Sequence, residues 1–264
     1  GVCLARRTSI MKIVAISDTH TKHKRIKIPE CDVLVCTGDF SWHGTYWETW
    51  RFLKWFAEQP ARHKLFIAGN HEIGLDGTKP EGRRGGPHGF IHGAWKLARN
   101  TPGITYLEDE EIVIDGVKFY GTPWTPFFYN WGFNGIEGPD GPIHQANFPG
   151  SRNPSLVDVY AKIPDDVNVL LCHGPPYGFV DKSNHGDERA GSVEMRKVLE
   201  ERLAQLRLYL CGHIHEARGH EIGCGNVNIC NVSSLGRDYL TAYPPVVIDL
   251  DADGFVDSVQ GYEE

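Results

Sequence analysis

Short apolar runs rich in β-branched residues alternate with amphipathic segments in the N-terminal part of the chain. Residues 11–17, 33–37 and 65–68 are such runs, and polar side chains follow each of them, which is typical of buried parallel strands. Residues 46–59 space their aromatic and aliphatic side chains at helical intervals, and Pro60 stops the pattern. This alternation of strand, polar loop and helix predicts an α/β fold.

The second half of the chain predicts further strands and its clearest helix. Asp115-Gly116 lies between two apolar runs and gives the strongest hairpin signal in the sequence. Residues 188–206 carry aliphatic side chains on one side and charges elsewhere, which predicts a helix. The runs that predict strands are residues 111–114, 117–120, 167–172, 208–211, 226–232 and 245–250, and Asp253-Gly254 predicts a terminal hairpin.

Two segments lack a regular pattern. Residues 74–89 are rich in Gly, Pro and charge and predict a loop, followed by a short helix over 90–99. Residues 124–154 are rich in Gly, Pro, Asn and aromatic side chains. Because structureless connections of this length are uncommon inside a compact domain, we predict that this segment forms a lid or a pocket wall.

Length and composition favour one domain. A chain of 264 residues with 41% hydrophobic content can bury a sizeable core, and no interdomain linker is evident. We therefore expect a single domain over residues 11–264. Gly1 does not initiate translation and Met11 opens the first strand pattern, so residues 1–10 are interpreted as an N-terminal extension or a cloning scar without function.

Charge and cysteine content restrict the partners and the compartment. A formal net charge of -7 argues against a surface that coats nucleic acid, whereas a small phosphate ester at a metal site remains allowed. No apolar run approaches the ~20 residues of a membrane span, and no secretory signal pattern is present. The seven cysteines cannot all pair, and most fall in or beside apolar runs. We expect a cytoplasmic protein without a membrane partner.

Metal-ligand side chains follow the predicted strands in five short motifs. These are Asp18-Thr19-His20, Gly38-Asp39, Gly69-Asn70-His71-Glu72, Cys172-His173-Gly174 and Gly212-His213-Ile214-His215. Carboxylate, imidazole and amide oxygen suit divalent ions such as Mn, Fe or Zn, and no thiolate spacing indicates a structural zinc site. A spacing of two would place both ligands on one side of an extended backbone. One such residue alone is usually a cap or turn former, but five motifs together favour a metal centre.

The order of these motifs resembles the calcineurin-like metallophosphoesterase superfamily. Gly121-Thr122-Pro123-Trp124-Thr125-Pro126 and His173-Gly174-Pro175-Pro176 are similar to the branch of metallophosphoesterase-domain (MPPED, 239FB-type) proteins, which are class III cyclic-nucleotide phosphodiesterase-like. The resemblance implies a four-layer α/β/β/α sandwich of two mixed sheets. It also implies a catalytic site that binds two divalent metal ions, with Mn expected first and Fe or Zn as alternatives.

The resemblance further implies a role for each ligand. The first metal would be held by Asp18, His20 and His215, the second by Asn70, His173 and His213, and Asp39 would bridge them. A metal-bridging hydroxide would attack phosphorus. His71 would stabilise the phosphoryl oxygens or protonate the leaving alkoxide, with support of Asn70 as its plainer alternative, and Glu72 would orient a ligand or loop.

Departures from related phosphatases indicate the substrate class. Protein phosphatases of this superfamily carry arginines after the G-D motif and before G-N-H-E, whereas here Phe40-Ser41-Trp42 and Ala68 take those places. Without these guanidinium groups a phosphomonoester dianion is poorly neutralised. We therefore expect a small phosphodiester substrate of nucleotide type, with cyclic nucleotides first. The alternatives are a nucleotide phosphomonoesterase, a nuclease, and a binding scaffold with weak activity.

Aromatic side chains supply one further hypothesis for the pocket. Residues 124–133 are rich in Trp, Phe and Tyr and could stack on a nucleobase, although packing of the loop against the domain is the more ordinary role. Arg237 and Tyr239, near a late strand end, could also face the pocket, but we do not assign them to it. The remaining histidines, His43 among them, are interpreted as ordinary surface or core residues.

Overall fold

Among the residues that the structure describes, two six-stranded sheets and four α-helices account for most of the regular structure. The computed structural model describes residues 11–78, 93–138, 153–183 and 189–262. The strands are β1 (Met11–Ile16), β2 (Cys31–Cys36), β3 (Ala61–Phe66), β4 (Thr105–Tyr106), β5 (Glu110–Ile114), β6 (Val117–Thr122), β7 (Thr125–Pro126), β8 (Asn134–Gly135), β9 (Val169–Cys172), β10 (Leu208–Cys211), β11 (Gly219–Ile222), β12 (Asn228–Asn231), β13 (Val246–Leu250) and β14 (Val256–Gln260). The helices are α1 (Tyr46–Ala57), α2 (Ala94–Asn100), α3 (Leu156–Tyr160) and α4 (Val193–Glu201).

Both sheets are mixed, with parallel strands at their centres. The first sheet has the order β14-β13-β1-β2-β3-β4, and the second has the order β11-β12-β10-β9-β6-β5. In the first sheet β1, β2, β3 and β4 are parallel, and β13 and β14 add antiparallel strands at one side. In the second sheet β6, β9, β10 and β12 are parallel. The carboxyl ends of several strands therefore lie together at one edge of each sheet.

Alternate side chains of each strand face opposite layers of the molecule. Ile13, Ala15, Leu171 and Leu210 belong to one buried cluster that lies between the sheets. The residues between them in sequence, such as Val14 and Leu170, belong to the cluster that includes the helices. This two-residue period follows from the pleat of a strand. The predicted four-layer α/β/β/α sandwich of two mixed sheets is confirmed.

Helix α1 is defined by its cap and by its aromatic face. The Thr45 side chain accepts from the Glu48 backbone N–H and the Glu48 carboxylate accepts from the Thr45 backbone N–H, which is a complete capping box. Phe52 and Phe56 pack on Phe66 of β3 with ring centroids 5.8 and 6.3 Å apart. The helix predicted over 46–59 is therefore confirmed.

Several predicted boundaries differ from the structure. The helix predicted over 188–206 is only Val193–Glu201, because Ser192 caps it through Met195 N and its own N–H donates to Pro175 O. The strand predicted over 65–68 begins at Ala61 instead, since its first residues lie at a partly exposed end of the sheet. The strand predicted over 226–232 is Asn228–Asn231, after a turn at Gly225.

The segments without a regular pattern are partly described. The structure shows α2 from Ala94, whereas residues 79–92, which include the rest of the predicted loop and the predicted start of this helix, lie outside the described residues. In the segment 124–154, β7 and β8 form a two-stranded pair, and residues 139–152 lie outside the described part of the chain. The same holds for the interpreted extension 1–10. Among the described residues no helix is both long and apolar enough to cross a membrane.

Candidate metal centre

The predicted ligands all follow strands whose carboxyl ends meet at one edge of the two sheets. Asp18 and His20 follow β1, Asp39 follows β2 and Asn70 follows β3 in the first sheet, whereas His173 follows β9 and both His213 and His215 follow β10 in the second. A parallel bridge between Ser17 and Ser233 joins the sheets at this edge. The structure thus brings all seven predicted ligands together from both sheets.

The first group consists of Asp18, His20 and His215. Their ligand atoms lie within 4.8 Å of one another, and the Nε2 atoms of His20 and His215 are 3.2 Å apart. His20 Nδ1 lies 3.2 Å from Ser41 O and His215 Nδ1 lies 3.2 Å from Gly236 O. Because a carbonyl can only accept, each Nδ1 carries the proton and both Nε2 lone pairs face each other. A cation between them would satisfy this arrangement, so the donor set fits a metal ion.

The second group is built on the same principle around His173. Its Nδ1 donates to Thr37 O at 2.8 Å, while its Nε2 faces Asn70 Oδ1 at 3.0 Å and Asp39 Oδ2 at 3.2 Å. His213 joins this group, with ligand atoms of Asp39, His173 and His213 within 4.8 Å. Oxygen and nitrogen acceptors therefore converge on one point, which is what a divalent cation requires.

Asp39 lies between the two groups. Besides the group with His173 and His213, its carboxylate belongs to a group with His20 and His71 whose ligand atoms also lie within 4.8 Å. Asp39 is therefore placed where one carboxylate can serve two ions. Together the clusters form a candidate dinuclear site for divalent metals, and the assignment of each ligand to one ion stays a prediction.

Opposite charges hold both carboxylates in their ionised form. Burial alone would raise the pKa of Asp18, but the hydrogen bond and charge of His215 lower it well below the usual range. Burial also opposes ionisation of Asp39, whereas His173 and His71 lower its pKa well below the usual range. These carboxylates are available as anionic ligands at neutral pH.

The imidazoles differ according to whether burial or a carboxylate dominates. Burial lowers the pKa of His20 and of His213 to about 4, which leaves both rings neutral at pH 7 and able to bind a metal. For His173 burial acts in the same direction, but the charge and hydrogen bond of Asp39 raise the pKa to about 9, so without a cation Nε2 carries a proton that a bound metal would replace. The pKa of His215 is also raised, by its carboxylate partner and against the effect of burial.

The ligand loops are turns with left-handed backbone geometry. Asp18, His20, Asp39 and His213 have φ of 52°, 38°, 50° and 69°. The prediction that an extended backbone places the paired ligands side by side is therefore wrong in its geometry, although the ligands do meet. Asp and His tolerate this region better than most residues, and such strained positions cluster at functional sites.

Glycine permits the closest approaches in these loops. A Cβ on Gly69 would lie 2.3 Å from Asp39 Oδ1, and a Cβ on Gly212 would lie 2.1 Å from Asp18 Oδ2. Both distances are far below van der Waals contact, so any side chain at these positions would displace a predicted ligand.

Glu72 binds two ligand loops through four hydrogen bonds. Its Oε2 accepts from Asp39 N at 2.8 Å and from Gly69 N at 2.7 Å. Its Oε1 accepts from Ser41 N at 3.0 Å and from Ser41 Oγ at 2.6 Å. Burial and the Asp39 charge raise the pKa of Glu72 to about 8, whereas all four donors favour the carboxylate. The side chain therefore orients loops, as predicted, and does not face the pocket.

His71 lines a pocket of about 350 Å³ whose lining also includes ligands of both metal groups. Its Nδ1 lies 3.0 Å from Trp42 O and its Nε2 lies 4.0 Å from Asp39 Oδ2. The pocket lining consists of Asp39, Trp42, His43, Asn70, His71, Phe128, Trp131, His213, His215 and Tyr239. Within the described residues this lining contains no lysine or arginine.

Aromatic rings surround the pocket in two pairs. Trp42 and Tyr239 have ring centroids 5.3 Å apart and lie on the His20 side, and the Trp131 centroid is 4.2 Å from that of His71. Phe128 lines the pocket with 52% of its surface exposed. Trp124 and Phe133 are instead buried in the core, so the aromatic-rich segment contributes to the wall and to packing alike.

Sequence reasoning missed three residues of the pocket lining. Trp42, His43 and Tyr239 were not assigned to the pocket, although all three line it. Trp42 lies three residues after Asp39, and that nearness was the available signal. Tyr239 reaches the pocket through a turn in which Asp238 caps the Leu240 and Thr241 backbone N–H groups, which no hydrophobic pattern reveals.

Comparison with known proteins agrees with this geometry. A family model described as "Calcineurin-like phosphoesterase" matches residues 11–217. The chain is 34% identical over 247 residues to human "Metallophosphoesterase domain-containing protein 1", covering 90% of this chain and 71% of the relative. It is 31% identical over 244 residues to a UPF0046 protein of Caenorhabditis elegans, covering 91% of this chain and 75% of the relative.

A solved structure shares the fold. The structure of a Staphylococcus aureus protein assigned as a 5'-nucleotidase superposes with a TM-score of 0.51 at 12% identity. The match covers 95% of this chain, which spans 52% of that protein's length. At this identity the likeness concerns the fold alone.

Proposed function

Because this chain belongs to the calcineurin-like phosphoesterase family, in its MPPED-like branch, and is a metal-dependent phosphoesterase, we propose that it hydrolyses phosphodiesters of nucleotide type, with cyclic nucleotides as the preferred class. The observation that carries the proposal is the pocket lining, which combines four aromatic rings with no lysine or arginine among its described residues. A small, monoanionic ester with an aromatic base suits such a lining.

The charge of the substrate supports the diester class. A phosphomonoester is largely a dianion near neutral pH, and proteins commonly neutralise such a group with bidentate arginine. A phosphodiester carries a single negative charge, which leaves less charge for the pocket to balance. With no cationic Lys or Arg in the described lining, the metals and the histidines are the available cationic groups.

The two metal groups and His71 suggest a mechanism. Divalent ions held by the predicted ligands would neutralise the phosphate charge. They would also lower the pKa of bound water to about 7, so that hydroxide is available near neutral pH. His71 donates its Nδ1 proton to Trp42 O, which fixes the ring and leaves Nε2 free to face the pocket. In its protonated form that nitrogen would stabilise the phosphoryl oxygens or give a proton to the leaving alkoxide. The Trp42 carbonyl thus orients His71.

Side-chain chemistry supports a proposal for the metal and for the compartment. Carboxylate, amide oxygen and neutral imidazole suit Mn first, with Fe or Zn as alternatives. The free cysteines Cys31, Cys36, Cys172, Cys211 and Cys230 are all buried, and burial raises their pKa, so they are inert thiols. We propose a cytoplasmic location on this basis, since buried free thiols suit a reducing compartment.

The test compares ester classes on the Mn-loaded protein. Bis-p-nitrophenyl phosphate should turn over faster than p-nitrophenyl phosphate, and cyclic nucleotides should be hydrolysed in preference to nucleoside monophosphates. Faster monoester turnover would reject the diester proposal in favour of a nucleotide phosphomonoesterase. Asp39→Asn should lose most activity with the fold intact, as judged by circular dichroism. Unchanged activity in that variant would indicate that the two-metal site is not the active site.

A further inference from the structure

Two buried polar side chains at the end of β12 contact the first metal group and the loop that follows β10. Asn231 is the last residue of this strand, and Ser233 follows two positions later. Both are fully buried polar residues, at 0% exposure. Neither belongs to the ligand motifs, and neither lines the pocket. Buried polar side chains are retained only when their hydrogen bonds are satisfied, so the partners of this pair reveal what it holds in place.

Asn231 holds the loop that carries the histidines of β10. Its Nδ2 donates to Ile214 O at 2.8 Å and lies 3.4 Å from Gly212 O. These two carbonyls flank His213 in sequence, and Ile214 precedes His215. The amide of Asn231 therefore fixes the backbone of the loop that presents both imidazoles.

Ser233 holds the carboxylate of Asp18. Its Oγ lies 2.8 Å from Asp18 Oδ2 and 2.8 Å from Asn231 Oδ1. One hydroxyl proton cannot serve both acceptors fully, and Ser233 N already donates to Asn231 Oδ1 at 3.1 Å. The proton therefore goes to the carboxylate, because a charged acceptor forms the stronger hydrogen bond. The remaining Asp18 oxygen is turned towards His215 Nε2, at 3.5 Å.

The backbone of this pair is itself anchored from the other side. The Arg218 guanidinium donates to Ser233 O at 2.7 Å, and the Tyr262 hydroxyl donates to Asn231 O at 3.0 Å. Arg218 lies over the rings of Tyr243 and Tyr262, with 5.0 Å to each centroid. Because their backbone is anchored in this way, the side chains of Asn231 and Ser233 are held in a fixed position relative to the groups that they bind.

We infer that Asn231 and Ser233 are positioning residues for the first metal group. They orient Asp18, which follows a strand of the first sheet, towards His215, which follows a strand of the second, without the help of a bound cation. The inference rests on the proposed function, because it assumes that Asp18, His20 and His215 bind a divalent ion. It makes no assumption about the substrate.

The experiment measures metal affinity without substrate. Ser233→Ala removes only the hydroxyl and leaves the backbone contacts in place. Titration of the metal-free protein with Mn²⁺ in a calorimeter should show one of the two sites weakened by roughly tenfold to a hundredfold, which is typical for loss of a group that orients a ligand. The other site should keep its wild-type affinity. Turnover of bis-p-nitrophenyl phosphate at saturating Mn²⁺ should recover most of the wild-type rate.

Ser234→Ala is the matched control. Ser234 is a buried neighbour whose Oγ accepts from Ser17 N at 3.4 Å and does not contact Asp18. This variant should bind Mn²⁺ as the wild type does. Equal weakening in both serine variants, or wild-type affinity in Ser233→Ala, would overturn the inference. A melting curve of the metal-free proteins separates a fold defect from a site defect.

The outcomes also separate this inference from the proposed function. If Ser233→Ala binds Mn²⁺ normally while the wild type prefers diesters, only the positioning role is refuted. If both sites bind Mn²⁺ and only Ser233→Ala is weakened, but monoesters turn over faster, the positioning role stands and the diester proposal fails. A wild-type chain that binds no Mn²⁺ would overturn the metal function and the positioning role with it.

Discussion

Replacement of Glu72 tests whether a single buried carboxylate organises the ligand loops. Its Oε2 faces the backbone N–H groups of Asp39 and Gly69, which cannot turn away. Its Oε1 faces Ser41, whose hydroxyl can rotate and become an acceptor. In Glu72→Gln the amide NH2 will therefore turn towards Ser41, and only the Ser41 N–H loses its partner.

The magnitudes follow from the number of buried donors left without an acceptor. One unsatisfied buried N–H costs about 1–3 kcal/mol, so Glu72→Gln should lower the free energy of unfolding by about that amount. Glu72→Ala leaves three such N–H groups and a hydroxyl, so its loss should exceed about 4 kcal/mol. Since domains are stable by only about 5–15 kcal/mol, the Ala variant should be close to unfolded.

Urea unfolding of the metal-free protein near pH 9, above the pKa of Glu72 and therefore on its carboxylate form, measures both changes. Glu111→Gln is the control, because this exposed carboxylate pairs with Lys118 Nζ at 3.5 Å and its loss should cost under about 1 kcal/mol. Equal losses for the Gln and Ala variants, or losses no larger than that of Glu111→Gln, would refute the account of Glu72 as the group that satisfies these donors.

Three further predictions concern separate features of the protein. Burial lowers the pKa of His23 from 6.5 to about 4, so the unfolded chain takes up a proton before the folded chain does as the pH falls below 6.5, and this uptake destabilises the fold. His23→Leu removes this effect. Between about pH 7.5 and pH 5 its free energy of unfolding, measured in urea, should therefore fall by about 2 kcal/mol less than that of the wild type. Gly212→Ala would place a Cβ 2.1 Å from Asp18 Oδ2, so calorimetry should show weaker Mn²⁺ binding, and wild-type affinity would contradict the close approach. Tyr239→Ala should raise KM for a cyclic nucleotide at least roughly fivefold, the value for about 1 kcal/mol of lost stacking, whereas Tyr239→Phe, which keeps the ring, should leave that KM near the wild-type value. Equal effects of both substitutions would rule out base stacking.

Hydrophobic pattern alone identified most of the central elements. The strands that are buried on both faces, β1, β2, β9 and β10, are continuous apolar runs, so periodicity could find them. Strand β11 was not predicted because its burial pattern is mostly exposed, and β4 because it has only two residues. Pairing with a neighbouring strand stabilises such short elements, and this information lies elsewhere in the chain.

The site was predictable in its ligands but not in its surroundings. Each ligand lies within four residues of the end of a strand, and the resemblance of the five motifs to a known family implied how they are grouped. The left-handed backbone at Asp18 and His213 was not predictable, because side chains distant in sequence stabilise it. Tyr239 and Ser233 share this limitation, since each reaches the site from a part of the chain without a recognisable motif.

The division of each metal group between two sheets sets an order of events during synthesis. Asp18 and His215, which contact each other across the first group, are 197 positions apart in the numbering, and Asn70 and His173 in the second are 103 positions apart. A nascent chain that ends before β10 lacks His213 and His215, so neither the first nor the second group is complete. High-affinity metal loading must therefore follow translation of nearly the whole domain. Metal uptake can consequently report that folding is complete, and it cannot guide the earlier steps.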